Sequence, residues 1–232
     1  HRGEILGISG LMGSGRSELA RILFGLDPHA SGEIRIDGEP YEADDPIDAM
    51  TRGIAFLTED RRAEGLMVEA SIAENIALPS LRDYAGKFSG WLRRPQLSAD
   101  VTRSADQVRI NTKDYVRMLV KNLSGGNQQK VVIGKWLLRS PSIFILDEPT
   151  RGIDVGAKYE VYKIMNQLVA DGAGVLFISS EMEELIGMCD RIAVMKSGRF
   201  VECGTTEEVL ADPQHLYTRL LLDAVPRPVT KR

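Results

Sequence analysis

Apolar residues along this chain fall into short blocks joined by polar, glycine-bearing segments, and the blocks differ in period. Residues 4–9, 53–57, 143–146, 174–178 and 191–195 are near-continuous apolar runs, the pattern of strands buried on both faces. Gly32-Glu33-Ile34-Arg35-Ile36-Asp37-Gly38 alternates polar and apolar positions between glycines, which predicts one half-exposed strand. Helices are predicted at 16–24, after Asp45-Pro46, at 98–108, 156–170 and 181–187. Ser71, with Glu74 three residues on, marks a further helix start carrying Ile72, Ile76 and Leu78, a capping box. In the 156–170 helix, Val155, Tyr159, Tyr162, Ile164, Met165 and Leu168 are expected mostly on one face. Ser197-Gly198 returns the chain as a hairpin through Phe200-Val201. From about 66 to 119 the strand signal disappears. Alternating strands and helices predict an α/β fold with a mostly parallel sheet, interrupted by an inserted α-helical lobe. The tail Val225-Pro226-Arg227-Pro228 is expected to fray.

Length and charge narrow the classes. At 232 residues the chain can bury a substantial core. A net charge of −4 speaks against a nucleic-acid binder working through a broad basic surface. Cys189 and Cys203 have no partner at metal or redox spacing, so both thiols are read as packing residues in a reducing compartment. No apolar run reaches the length of a membrane-crossing helix and no leader is visible, so membrane association is expected through a partner. The chain opens at His1 directly on a strand, which reads as a piece of a longer polypeptide.

The candidate chemistry sits at the joints. Gly10-Leu11-Met12-Gly13-Ser14-Gly15-Arg16-Ser17 has the spacing of a P-loop, with Arg16 where lysine belongs. Such glycines let successive backbone N–H groups turn inward around phosphate oxygens, and Ser17 would place its hydroxyl on Mg²⁺. A planar guanidinium is bulkier than an ammonium and donates as a fork, so Arg16 needs an adjusted fit. Ser124-Gly125-Gly126-Asn127-Gln128 opens a helix whose free N–H groups favour an anion. The strand 143–146 ends in Asp147 and Glu148. Asp147 suits Mg²⁺ as a hard carboxylate ligand, and Glu148 suits a general base polarising water. An acidic pair after a strand is by itself as often a helix cap.

In that order these motifs resemble the ATP-binding domains of ABC transporters, over Gly3 to about Leu222. The runs around Gly10–Leu19, Thr58–Leu66, Asn122–Lys130 and Asp147–Lys158 are similar to the second domain of tandem bacterial importers for ribose, galactose and xylose. The resemblance implies a RecA-like P-loop NTPase core at about 1–65 and 140–222, with the helical subdomain at about 66–139. It implies ATP and Mg²⁺ as cofactors, with Gly10, Gly13, Ser14, Gly15, Arg16, Ser17 and Glu18 on the nucleotide. Ser17, Asp147 and Glu59 would face the metal. Ser124, Gly125, Gly126, Asn127 and Gln128 would serve the ATP of a partner domain, and Gly152-Ile153-Asp154 resembles the D-loop at that seam. Implied partners are a second ABC domain, transmembrane permease subunits and, indirectly, a periplasmic sugar-binding protein, with the domain peripheral on the cytoplasmic face of the inner membrane. No nucleic acid is implied.

The chain departs from the family pattern three times. Arg16 replaces the P-loop lysine, Glu59 stands where the Q-loop has glutamine, and Ser180 stands where the switch histidine belongs. Ser180 and Glu148 are the catalytic candidates. The family's adenine-stacking aromatic precedes the glycine loop, upstream of these residues. A site so altered is expected to bind nucleotide and turn over slowly. The rival readings are a nucleotide-binding regulatory module that does not hydrolyse, and a soluble ABC ATPase outside transport. The compact, cysteine-free segment between the two glycine motifs disfavours the last.

Overall fold

The computed structural model describes residues 1–86 and 91–225. A six-stranded sheet forms its centre. The strands are β1 (Ile5–Ser9), β4 (Ile54–Leu57), β5 (Ile143–Asp147), β6 (Gly174–Ile178), β7 (Arg191–Lys196) and β8 (Arg199–Thr205), in the order β4-β5-β6-β1-β7-β8. β4, β5, β6, β1 and β7 run parallel, and β8 turns back antiparallel on β7. Every residue of β4 is buried, as a strand covered on both faces requires.

The alternating stretch at 32–38 is two strands rather than one, β2 (Ile34–Ile36) and β3 (Glu39–Tyr41), paired antiparallel as a separate hairpin. Asp37 and Gly38, with φ of 52° and 85°, make the turn. Positive φ at both central residues matches the right-handed twist of the flanking strands.

Helices α1 (Arg16–Leu23), α2 (Pro46–Thr51), α3 (Ile72–Ala77) and α4 (Leu81–Tyr84) precede α5 (Arg94–Gln107) and α6 (Gly125–Leu137). Both bonds of the α3 capping box form, Ser71 N–H to Glu74 at 2.7 Å and Glu74 N–H to Ser71 Oγ at 3.2 Å. α5 starts one turn before the expected residue 98, because Pro95 fits the first turn, where its missing N–H costs nothing. α7 (Val155–Ala170), α8 (Met182–Met188), α9 (Thr206–Ala211) and α10 (Leu216–Asp223) complete the chain. The tail read as frayed lies, from Pro226 on, outside the described residues.

The expected single face of α7 is corrected. Val161, Met165 and Leu168 are buried, whereas Val155 is 83% and Tyr159 60% exposed. Tyr159 precedes Val161 by two residues, about 200° around a helix, so the two cannot share a face. Cys203 is likewise exposed, and only Cys189 packs inside. No described helix is long and apolar enough to cross a membrane.

α6 joins the helical lobe to the sheet. It packs on α3 and α5 and also on β4 and α7. Trp136 near its end meets Phe24 edge-on at 5.6 Å, and Phe24 continues to Phe56 of β4 at 5.4 Å. At its start, a Cβ on Gly126 would lie 2.4 Å from the Ala157 Cβ of α7. Gly126→Ala should therefore push α6 off α7 and lower stability by about 1–3 kcal/mol. Chemical denaturation would read this as a lower midpoint; an unchanged midpoint would show that the two helices separate freely.

Candidate nucleotide site

Sheet register gathers the site. Leu57 pairs with Leu146, Asp147 with Ile178, and Ile8 also with Ile178. The carboxyl ends of β4, β5, β6 and β1 therefore lie level, where open parallel sheets bind ligands. From those ends emerge Thr58-Glu59, Asp147-Glu148, Ser179-Ser180 and the glycine loop.

The glycine loop runs directly into α1, whose first N–H groups have no side-chain cap and so face an anion with the positive end of the helix dipole. A Cβ on Gly10 would lie 2.4 Å from the Met195 carbonyl oxygen, and one on Gly15 3.2 Å from Gly198 Cα. Glycine is thus required by close approach to the β7–β8 turn. Gly198 N–H donates to Ser14 O at 2.7 Å, and Leu11 N–H donates to the Tyr217 hydroxyl of α10 at 3.0 Å. The Ser14 hydroxyl is buried with no protein partner. Glu18 stands exposed on the first turn of α1.

Arg16 is buried and reaches across the strand ends. Its Nη1 donates to Ser179 O at 2.7 Å, and Nη2 lies 3.4 Å from Glu148 Oε1. On the other carboxylate oxygen, Glu148 accepts from the Ser180 hydroxyl at 3.2 Å. Glu148 has φ of 48°, a left-handed conformation that a non-glycine residue keeps only when its surroundings impose it. Burial raises its pKa above the ordinary carboxylate value; Ser180 and the Arg16 charge oppose the rise without cancelling it. The two candidate catalytic residues, Glu148 and Ser180, are thus in direct contact, with Arg16 on the same carboxylate.

Asp147 is 2% exposed, and its Oδ1 has no protein partner. Burial raises its pKa too, opposed by the Ser17 hydroxyl and then by Arg16. One hydroxyl beside one carboxylate with a free buried oxygen fits a magnesium ion that keeps most of its ligands as water or phosphate. Among the described residues no three His, Cys, Asp or Glu side chains gather as a metal cage. Glu59 lines the same 810 Å³ cleft as Ser17, Thr58 and Asp147, with its carboxylate ion-paired with Arg151. The buried Thr58 hydroxyl in this cleft, without a protein partner, gave no signal in the sequence.

The second glycine motif divides in two. Ser124 caps α6, and Asn127 donates to Ser124 Oγ at 3.0 Å while accepting from Asn111 N–H at 3.1 Å. Gly125 lies under Arg61, whose Nη2 would be 2.9 Å from its Cβ. Gly126 and Gln128 are buried. Gln128 donates to Val120 O at 3.2 Å and accepts from Arg62 at 3.2 Å. One turn into the helix, beneath the Arg61–Gly65 turn, this side chain is committed to the interior, so the expectation that it touches a partner's nucleotide is corrected. Asp154 caps α7, accepting from Ala157 N–H at 2.9 Å.

Comparison with known proteins agrees with this architecture. Residues 1–151 match the ABC transporter family, and residues 201–232 match the family described as oligopeptide/dipeptide transporter, C-terminal region. A ribose import ATP-binding protein of Rubrobacter xylanophilus is 49% identical over 85% of this chain and 39% of its own length. A putative ribose/galactose/methyl galactoside import ATP-binding protein of Burkholderia cenocepacia is 51% identical over 85% of the chain and 38% of its own length. The chain thus spans about two fifths of the length of these relatives. A nucleotide-free ATP-binding cassette from an ABC transporter shares the fold, with a TM-score of 0.80 at 20% identity, covering 94% of this chain and 88% of that one. With a family match over residues 1–151 of 232, the chain belongs to the ABC transporter family.

Proposed function

We propose that this domain binds MgATP and hydrolyses it slowly, as part of an ATP-driven sugar importer at the cytoplasmic face of a bacterial inner membrane. The observation that carries the reading is the meeting of Glu148, Ser180 and Arg16 at the strand ends, beside Asp147 and the glycine loop. The relatives' names, ribose and ribose/galactose import ATP-binding proteins, supply the substrate class. Residues 1–65 and 140–222 would form the catalytic core, and 66–139 the lobe that meets the permease. The partners would be a second ABC domain, permease subunits and a periplasmic sugar-binding protein.

In the chemistry, the glycine-loop N–H groups hold the phosphates, with Ser17 and Asp147 positioned to hold Mg²⁺. The bound cation would neutralise phosphate charge. Glu148 takes a proton from water as the water oxygen bonds to the γ-phosphorus; the bond from that phosphorus to the β–γ bridging oxygen breaks, and ADP leaves with the electron pair. Only ionised Glu148 can do this. Arg16 limits the rate, because its guanidinium is already bonded to Ser179 O and Glu148 and the γ-phosphate must compete for it. That same ion pair favours a second reading, a site that holds nucleotide without hydrolysing it; nucleotide titration alongside turnover separates the two.

Ser124 and Asn127, at the start of α6, are the signature residues placed to serve a partner's ATP, with Asp154 near that seam. The permease is expected in a 650 Å³ apolar groove lined by Met67, Ala77, Leu78, Leu81, Leu97 and Val116. Met67 faces this groove, 49% exposed, while the neighbouring Leu66 is buried.

Glu148→Gln should lower turnover about 10²-fold or more and leave nucleotide affinity intact; an unchanged rate would remove Glu148 from the chemistry. Because its pKa is raised, the acid limb of the rate profile should lie above the ordinary carboxylate range. Activity would fall as pH drops through that value, and Ser180→Ala, which removes an opposing hydrogen bond, should move the limb further up. A limb at the ordinary value in both chains would contradict this electrostatic picture. Arg16→Lys combined with Ser180→His should speed turnover, and no gain would place the cause of slowness elsewhere. In the assembled transporter, Arg94→Glu with Val116→Asp at the groove should abolish transport while nucleotide binding persists; normal transport would exclude the groove as the permease contact.

A further inference from the structure

Glu184 takes no part in the chemistry above, yet it is the most heavily bonded of the buried carboxylates around the site. It lies in the first turn of α8, 7% exposed. Its Oε2 accepts from the Thr150 hydroxyl at 2.7 Å and the Ser179 hydroxyl at 2.9 Å. Its Oε1 accepts from Lys158 Nζ and from the Tyr162 hydroxyl, both at 2.8 Å. Burial pushes the pKa of this carboxyl up, but the four donors outweigh burial and hold it below the ordinary value. It is a paired and fully hydrogen-bonded buried charge, the condition under which such a group is tolerated.

The donors show what the charge organises. Thr150 stands two residues after Glu148, and Ser179 immediately precedes Ser180. One carboxylate thereby ties together the two loops that carry the Glu148–Ser180 contact. The same segment presents Ser179 O to Arg16 at 2.7 Å, and Ser179 Oγ accepts from Glu181 N–H at 3.1 Å. Lys158 bridges to both oxygens of Glu181 at 2.8 Å, closing the segment from its outer side. Glu148 sits at φ 48°, a conformation its surroundings must hold. Lys158 and Tyr162 belong to α7, the helix that Asp154 caps, so a shift of that helix would be felt at the strand ends through this one side chain.

The geometry points to Glu184 as a positioning residue for Glu148, setting the separation and orientation of the Glu148–Ser180 pair from α7. The inference rests on the general-base reading of Glu148. A carboxamide at this position accepts on one oxygen only and turns an N–H₂ toward groups that themselves donate, so the two loops lose their common anchor.

The test is single-turnover MgATP hydrolysis by the chain, with nucleotide affinity measured alongside by a fluorescent ATP analogue. Glu184→Gln should slow the hydrolytic step about tenfold or more, since small misplacements of a catalytic group carry such factors, with affinity changed less than about twofold. Added to Glu148→Gln, it should cost less than about twofold further, because its effect passes through Glu148. Equal losses in the two backgrounds would overturn this inference alone. A Glu148→Gln chain with the parental rate would overturn the general-base reading and this inference with it. Should Glu184→Gln fail to fold, Thr150→Val and Tyr162→Phe each remove one donor and keep the carboxylate. Both should slow hydrolysis at unchanged affinity, and parental rates in both would overturn the assignment.

Discussion

The parallel register of β4, β5, β6 and β1 is the constraint on which everything else in this domain rests. Hydrogen bonding between strands fixes their relative heights, so four loops that are far apart in sequence leave the sheet at one level. Both faces of these strands are packed, so a one-residue slip would carry every side chain to the opposite face and break its packing against the covering helices. Functional groups from loops far apart in sequence are therefore brought within reach of one side chain. Arg16 spans from the base of α1 to the ends of β5 and β6 in one reach.

The same arrangement creates the electrostatic tension of the site. Asp147 and Glu148 sit at the top of a buried strand, and burial raises both carboxyl pKa values. Neutralisation comes from one guanidinium and a pair of serine hydroxyls rather than from a full ligand cage. The Arg16 guanidinium already serves a carbonyl and a carboxylate, so a phosphate would share its remaining N–H donors or displace those contacts. The Glu59–Arg151 pair acts similarly on the other wall of the cleft, where the Arg61 guanidinium also donates to the carbonyls of Arg151 and Gly152. The strand-end loops are thus tied to one another by side-chain contacts.

Peripheral elements hold the glycine loop in place. The β7–β8 turn and Tyr217 of α10 fasten it from outside the sheet. The lobe, in turn, is fastened to the sheet by α6, through Gly126 against Ala157 at one end and Trp136 against Phe24 at the other. α6, α7 and the sheet are consequently one packed unit.

Local order determined much of this protein. Apolar runs marked the core strands, the Ser71–Glu74 pair marked a helix start, and the glycine spacing marked the loop between β1 and α1. Each of these is a signal carried by neighbouring residues. The α10 helix, the burial of Gln128 and the pairing of Glu59 with Arg151 were not legible, because each depends on what packs against it from more than sixty residues away. The exposed half of α7 was misread for the same reason. Apolar spacing reveals a stripe, but a helix with two stripes needs its neighbours to say which one is covered. Sequence by itself determined the elements and the chemistry available at their ends. Tertiary structure decided which carboxylates meet which cations, because in a parallel sheet the meeting points are set by strand register and not by distance along the chain.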